Sequence, residues 1–262
     1  MQLEINSKEN KLVKHIVKLA NDAYYRKQQQ QFVIYGLHLI EEALIYNKLK
    51  VLIIDQNSKA KYEQLINSLN QVEIIVTSRI IINKLNVLES QIDIIGVAVW
   101  KEIEFSDTIL NEDCVVLENI QDPGNLGTIF RSCKAFGINN ILLSENCVDK
   151  LNPKVIRASQ GAIYSLNVFS AVDIVDFISK YKHQIIATMP RAEKQIFDTC
   201  LRNTTAWIFG NEGNGISNKI LNLIKQQVKI PLLNNTESIN VAIATGICLY
   251  EQHKQRVLIN GI

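Results

Sequence analysis

The chain lacks most of the features that would take it out of the ordinary globular class. It carries only five cysteines (Cys114, Cys133, Cys147, Cys200 and Cys248), with no C-x-x-C pair among them. An odd, scattered set predicts reduced, partly buried thiols in a cytoplasmic protein rather than a disulfide framework. The four histidines are equally dispersed. Cys248 and His253 form the closest Cys/His pair, a spacing that makes no metal site. Long apolar runs are missing: DIIGVAVW is far too short to span a bilayer, and the N-terminus has no apolar core of signal-peptide type. The expectation is a soluble, intracellular protein with no membrane partner. Charge of one sign is also scarce, since 28 Lys and Arg against 26 Asp and Glu leave a formal net charge of +2. Any nucleic-acid binding must therefore come from local basic patches. No P-loop G-x-x-x-x-G-K-[ST] occurs, and no G-x-G-x-x-G opens a dinucleotide-binding unit.

What is present describes a folded α/β protein. The 262 residues, 47% hydrophobic and 21% charged, suffice for two domains. From Glu9 to about Lys27, Leu12, Ile16, Leu19 and Ala23 recur at helical steps. The other face carries Lys8, Lys11, Lys14, Lys18, Arg26 and Lys27, either as a solvated surface or as an RNA-facing patch. Four β-rich runs follow: FVIYG (32–36), VLIID (51–55), VEIIVT (72–77) and DIIGVAVW (93–100), with LHLIEEALIY and AKYEQLINSL as helices between them. A polar stretch, KEIEFSDTILNED (101–113), marks a boundary. A second series, CVVLENI, ILLS, SLNVFS, IIATM, AWIFG and VKIPLL, suggests six strands in a mostly parallel sheet covered on both faces.

Two loops in the last quarter invite a ligand. In FGNEGNG, Gly210, Gly213 and Gly215 permit backbone conformations closed to other residues and bring a ligand near the main chain. A β-branched side chain at Gly210 is expected to enter the space the ligand needs. The second loop, Leu232 to Ile239, should close on the first, with Ser238 and Asn240 offering short polar side chains at the start of a long helix. Upstream, DPGN combines a turn-forming Asp-Pro-Gly with Asn125 as the expected helix N-cap. In the helix that follows, Leu126, Ile129, Phe130, Cys133 and Phe136 share an apolar face, and Arg131 falls off that stripe.

Taken together, QDPGNLGTIFRSCKAFG (121–137), FGNEGNGIS (209–217) and IPLLNNTESINVAIATGICLYEQ (230–252) resemble, in order and spacing, the three signature motifs of the SpoU/TrmH family of RNA ribose 2'-O-methyltransferases. The resemblance implies an α/β SPOUT domain over 113–262, trefoil-knotted and built on a mostly parallel sheet. It also implies a homodimer that assembles the site between two subunits. The pattern Asn125, Gly127, Arg131 is similar to the first motif, whose arginine is tied to catalysis. By the same likeness Arg131, Asn125, Glu212, Ser238 and Asn240 form the catalytic set, and S-adenosylmethionine lies against main-chain groups at Gly210, Ile230 and Ile239, with Gly215 and Leu232 beside it. Ile239 stands where leucine is usual, a harmless swap where the backbone is the ligand. NPKVIRASQGAIYSLNV (152–168) resembles the segment between the first two motifs, where Lys154 and Arg157 either contact RNA phosphates or make structural salt bridges. FVIYGLHLIEEAL resembles FxVEGxxLVEEAL, the opening of the family's ribosomal-protein-like, RNA-binding α/β domain, with Tyr35 replacing the usual Glu. The implied division is a substrate-binding domain over 1–100, a linker over 101–112 and the methyltransferase domain over 113–262.

Other methylation chemistries can be tested by absence. None of the four prolines precedes a cysteine, as pyrimidine C5 methylation requires, and no Asp/Asn-Pro-Pro-aromatic loop for base amino groups occurs. A ribose hydroxyl in structured RNA, ribosomal ahead of transfer RNA, remains the best acceptor, and no metal is needed. Arg131 is expected to clamp the adjacent phosphate and stabilise developing charge. Glu212 would orient Arg131 or accept the proton, and Asn125 would help to position it. The competing reading is a knotted RNA-binding protein without catalysis, disfavoured by the retained polar set.

Overall fold

The computed structural model describes residues 2–5, 7–88 and 90–260, which fall into two compact units, Met1–Glu102 with Asp149–Tyr164, and Ile103–Val148 with Ser165–Ile262.

The first unit is built on five strands: β1 (Gln2–Ile5), β2 (Gln31–Tyr35), β3 (Leu49–Asp55), β4 (Glu73–Thr77) and β5 (Ile94–Val99). They lie in the order β1-β4-β3-β5-β2, with β1, β4 and β3 parallel and β5 antiparallel to both its neighbours. The four expected runs are β2 to β5; β1 went unread. The basic helix expected over 9–27 is two helices, α1 (Lys11–Asn21) and α2 (Ala23–Gln29). Asp22 between them is extended, and its N–H closes α1 onto the Lys18 carbonyl while its carboxylate caps α2 at the Tyr25 N–H. The break resets the helical phase, so Ala23 is exposed and Arg26, expected on the polar face, is buried. Its guanidinium donates to the Leu19 and Ala20 carbonyls at the end of α1 and pairs with Asp149 at 2.6 Å. Val13, Ile16 and Leu19 of α1 bury against Val33, Ile53 and Ile75 of the sheet, which accounts for the apolar periodicity.

Three more helices belong between these strands: α3 (Leu37–Ile45), α4 (Glu63–Ser68), preceded by a 3₁₀ turn over Gln56–Tyr62, and α5 (Arg79–Leu85). The expected second helix over 60–69 thus starts in 3₁₀ form over 60–62 and is α-helical from Glu63 to Ser68.

The second unit holds seven strands, all parallel: β6 (Cys114–Leu117), β7 (Asn140–Leu143), β8 (Asn167–Phe169), β9 (Gln184–Thr188), β10 (Lys194–Gln195), β11 (Thr205–Phe209) and β12 (Gln226–Lys229). Their order is β10-β12-β9-β11-β6-β7-β8. Six were expected; the two-residue β10 carries too few apolar residues to be read, and β12 stops at Lys229, so Ile230 opens a loop. The helices are α6 (Pro123–Ala135), α8 (Ile174–Lys180), α9 (Asn218–Leu221) and α10 (Val241–Asn260), while α7 (Pro153–Ser159) packs on β2 in the first unit. Alternation along the strands buries Cys114, Val116, Ala206 and Ile208 beneath Phe177 and Ile220 on one face. On the other, Trp207 donates its indole N–H to Gln252 of α10. Arg256 grips Asp113 with two N–H groups (2.5 and 2.9 Å), fixing α10 to the start of β6. The chain passes from β9 to β11, returns beyond β9 to β12, and then sends α10 back onto α6.

Candidate active site

In a parallel sheet the loops at the carboxyl ends of the strands form the natural ligand crevice. Here three of them, after β9, β11 and β12, enclose a cavity of about 510 Å³, within the range of small-molecule sites. Gly210, Gly215, Ile230, Leu232, Ile239 and Ser238, all expected at the site, line it.

The β11 loop is shaped by its own backbone. Asn211 and Gly215 exchange N–H···O bonds of 3.0 and 2.9 Å, and the Asn211 side chain accepts from the N–H groups of Gly213 and Asn214. Gly215 sits at φ +67°, a conformation suited to glycine. A Cβ on Gly210 would lie 2.2 Å from the Gly215 carbonyl carbon and 2.3 Å from the Ile216 nitrogen. A side chain at Gly210 therefore collides with the loop itself, whatever space a ligand needs. In the β12 loop the chain reverses through Asn234 and Asn235, both left-handed.

The three sequence segments meet through side chains. The N-cap of α6 is Asp122, not Asn125: its carboxylate accepts from the Asn125 N–H at 2.7 Å, with Pro123 in the first turn. Asn125 therefore sits inside the first turn with its amide free to act elsewhere. Its Nδ2 donates to Glu212 Oε1 (3.0 Å) and its Oδ1 accepts from Asn240 Nδ2 (2.8 Å). Asn240 in turn accepts from the N–H groups of Ala242 and Ile243, capping α10. Glu212 also accepts from the backbone N–H groups of Gln121 and Asp122, each at 3.3 Å. Burial raises the Glu212 pKa, but the hydrogen bonds from Asn125, from its own main chain and from Asp122 and Gln121 outweigh it and hold the carboxyl below its ordinary value.

Arg131 stands apart from this relay. It is exposed on α6, off the buried stripe of Leu126, Ile129, Phe130 and Cys133, and makes no hydrogen bond or ion pair with the described residues. Glu212 does not orient it here, since its carboxylate is taken by Asn125 and the Gln121–Asp122 backbone. Phe136, expected on the stripe, is half-buried at the end of α6 against Tyr250 and His253. Lys154 and Arg157 lie exposed on α7 without an ion pair to the described residues, so the salt-bridge alternative fails for both. On α1, Lys14 pairs with Glu9 at 2.5 Å, and Lys18 sits 4.3 Å from the centre of the Tyr25 ring. Sequence reasoning missed Asn211, which also anchors the loop to the Asn119 carbonyl, and buried Glu118, which accepts from the Ser217 N–H. It also missed the Thr188–Arg191 wall of the cavity and Glu237. Asn211 and Asn214 within the glycine-rich FGNEGNG were the one available signal, because Asn commonly bonds its neighbouring backbone in turns.

Comparison with known proteins agrees with this arrangement. Residues 113–250 match the model of the SpoU rRNA Methylase family, and residues 10–96 match that of an MRM3-like substrate binding domain. A Synechocystis sp. protein named an uncharacterized tRNA/rRNA methyltransferase is 32% identical over 261 residues, spanning 96% of this chain and 94% of that one. The crystal structure of an RNA 2'-O ribose methyltransferase superposes with a TM-score of 0.82 at 28% identity, over 97% of this chain and 100% of that one. The SpoU methyltransferase AviRb of Streptomyces viridochromogenes, solved with AdoMet, shares the fold with a TM-score of 0.83 at 22% identity, over 95% and 100% of the two chains. With its family model matched across more than half its length and a relative of this identity along nearly all of it, the chain belongs to the SpoU rRNA methylase family.

Proposed function

We propose that this protein methylates a ribose 2'-hydroxyl of structured RNA, ribosomal ahead of transfer RNA, with S-adenosylmethionine as donor. The observation that carries this reading is the Glu212–Asn125–Asn240 relay, which clasps three loops far apart in sequence beside a cavity of cofactor size and leaves Arg131, further along α6, without a partner among the described residues. Ribose-methylation mapping of RNA from a strain lacking the protein tests it. One 2'-O-methyl site should disappear and return on complementation, and an unchanged map would overturn the proposal.

The cavity suits the donor: main-chain groups of Gly210, Ile230 and Ile239 would hold it, with Gly215, Leu232 and Ser238 completing the wall. When bound, S-adenosylmethionine supplies a methyl group on a sulfonium, so transfer is an in-line displacement governed by alignment. A guanidinium does not act as a base in proteins, so Arg131 is assigned as a clamp on the phosphate neighbouring the 2'-hydroxyl. Glu212, its pKa lowered, is a weak base and is assigned to bracing Asn125. A strong base is not required, because a 2'-oxygen that has gained the methyl group becomes acidic enough to release its proton to water. Among the described residues no group of three or more His, Cys, Asp and Glu is placed to hold a metal ion. Activity is expected to persist in EDTA, and a loss reversed by a divalent cation would contradict the mechanism.

Asn125→Asp tests the relay. It keeps the acceptor for Asn240 but sets a second carboxylate against Glu212 Oε1 in place of a donor. In the parent, Glu212 has a lowered pKa, so its contribution to stability is present above its unfolded value and fades as pH falls through the folded one. In the variant, repulsion reverses that trend. It should be less stable than the parent by roughly 1 kcal/mol at pH 8, and the gap should close near pH 4, as read by thermal unfolding.

RNA recruitment is assigned to the first unit, which carries Lys14 and Lys18 on α1 and Lys154 and Arg157 on α7, all exposed. The second unit is read as trefoil-knotted, supported by the return of the chain beyond β9 before α10 reaches α6. A homodimer is supported by Ile243, Ile247 and Tyr250, exposed one above another on α10 at helical spacing. Among the described residues no helix is long and apolar enough to cross a membrane. All five cysteines are free, and burial pushes the thiols of Cys114, Cys133 and Cys248 up, in keeping with a cytoplasmic protein.

A further inference from the structure

We propose that Arg191 and Glu237 read the amino-acid end of the methyl donor, Arg191 its α-carboxylate and Glu237 its α-ammonium. The inference rests on the cofactor reading above and adds specificity residues to it. Most of the cavity wall is apolar side chain or bare main chain, as at Phe209, Gly210, Ile230 and Ile239. Among the described residues the charged side chains that line it are Arg191, Glu212 and Glu237. Glu212 is committed to Asn125 and to the Gln121–Asp122 backbone. Arg191 and Glu237 are exposed, and neither forms a hydrogen bond or an ion pair with the described residues, including each other.

Opposite charges that share a cavity without pairing suit a ligand that carries both signs close together. They come from separate loops, Arg191 after β9 and Glu237 just before α10, so a ligand can lie between them. Adenine and ribose are uncharged and match the apolar and main-chain part of the wall. The remaining end of S-adenosylmethionine bears a carboxylate and an ammonium on one carbon. A guanidinium recognises a carboxylate through two parallel N–H bonds, a geometry that an ammonium cannot copy. A carboxylate on the opposite loop answers the ligand's ammonium.

Calorimetric titration of the full chain without RNA separates the possibilities. Two probes are used: S-adenosylhomocysteine, and 5'-methylthioadenosine, which keeps adenine, ribose and thioether but lacks the amino-acid end. The unmodified protein should prefer S-adenosylhomocysteine. Arg191→Ala and Glu237→Gln should each weaken that ligand on the order of tenfold and leave 5'-methylthioadenosine unchanged, which also shows that the variants are folded. Arg191→Lys should fall between. Undiminished S-adenosylhomocysteine affinity in both variants would overturn the inference, and so would a parallel loss for both probes, which marks residues that merely shape the loops. If the unmodified protein binds neither probe, the cofactor reading itself is what fails.

Discussion

Gly210→Ala is expected to cost the protein at least about a hundredfold in affinity for S-adenosylhomocysteine, close to 3 kcal/mol, while leaving the sheet folded. A methyl group at this position would lie 2.2 to 2.3 Å from the Gly215 carbonyl and the Ile216 nitrogen, distances at which something must move. The obstacle is backbone, so no side-chain rotation relieves it. It is also held in place, since Asn211 and Gly215 exchange two hydrogen bonds and the Asn211 amide is tied to the Asn119 carbonyl. The cheapest escape is to open the loop, which displaces Gly213, Gly215 and Ile216 from the cavity wall. Forced overpacking typically costs about 1–3 kcal/mol, and here nearly all of it falls on the ligand-bound arrangement. Circular dichroism should match the parent while calorimetry shows little or no heat of binding. Unchanged affinity in a folded variant would remove the loop from the cofactor site.

The same glycine shows how far the sequence could be read. G-x-x-G-x-G after an apolar run announces a close backbone approach, and both loops do line the cavity. Which atoms approach which is a matter of three-dimensional closure, and spacing alone pointed to the ligand instead of to Gly215. The α6 cap failed in a related way. Asp122 and Asn125 are both good capping residues, and only the fold decides that Asp122 takes the N–H and frees Asn125 for Glu212 and Asn240, 87 and 115 residues away. Strands with continuous apolar runs were legible because burial on both faces demands them. The two-residue β10 had no such signature, and β1 lies at the very start of the chain. The α1–α2 break hid in an unbroken apolar rhythm because Asp22 tolerates a helix interior as a sequence while its capping bonds favour an end. Membership of Asp149–Tyr164 in the first unit is set by partners distant in the chain: Asp149 pairs with Arg26, and Lys150 with Glu102 at 2.7 Å. No local pattern encodes that.

Arg131→Ala should lower the single-turnover methylation rate on the true RNA target on the order of 100-fold to 1,000-fold, with cofactor affinity within about twofold of the parent. Its exposed position off the buried stripe of α6 means that truncation leaves no cavity, and it belongs to none of the cofactor loops. A structural arginine would show bonds to the protein, and Arg131 has none among the described residues. The lysine variant separates two accounts of its role. Arg131→Lys keeps the charge but loses the planar fork, so a phosphate clamp should retain little activity at any pH. A residue serving as base should behave otherwise, because an ammonium gives up its proton far more readily than a guanidinium, and turnover would climb as pH rises toward the lysine pKa of about 10.4. The assigned weakness of Glu212 sharpens the comparison. Its pKa already lies below the ordinary value, so it is ionised throughout the range tested and contributes no step of its own to the profile. A flat, low rate for the lysine variant from pH 6 to pH 10 supports the clamp. Substantial activity that rises with pH would discard it, and full activity in the alanine variant would remove Arg131 from the mechanism.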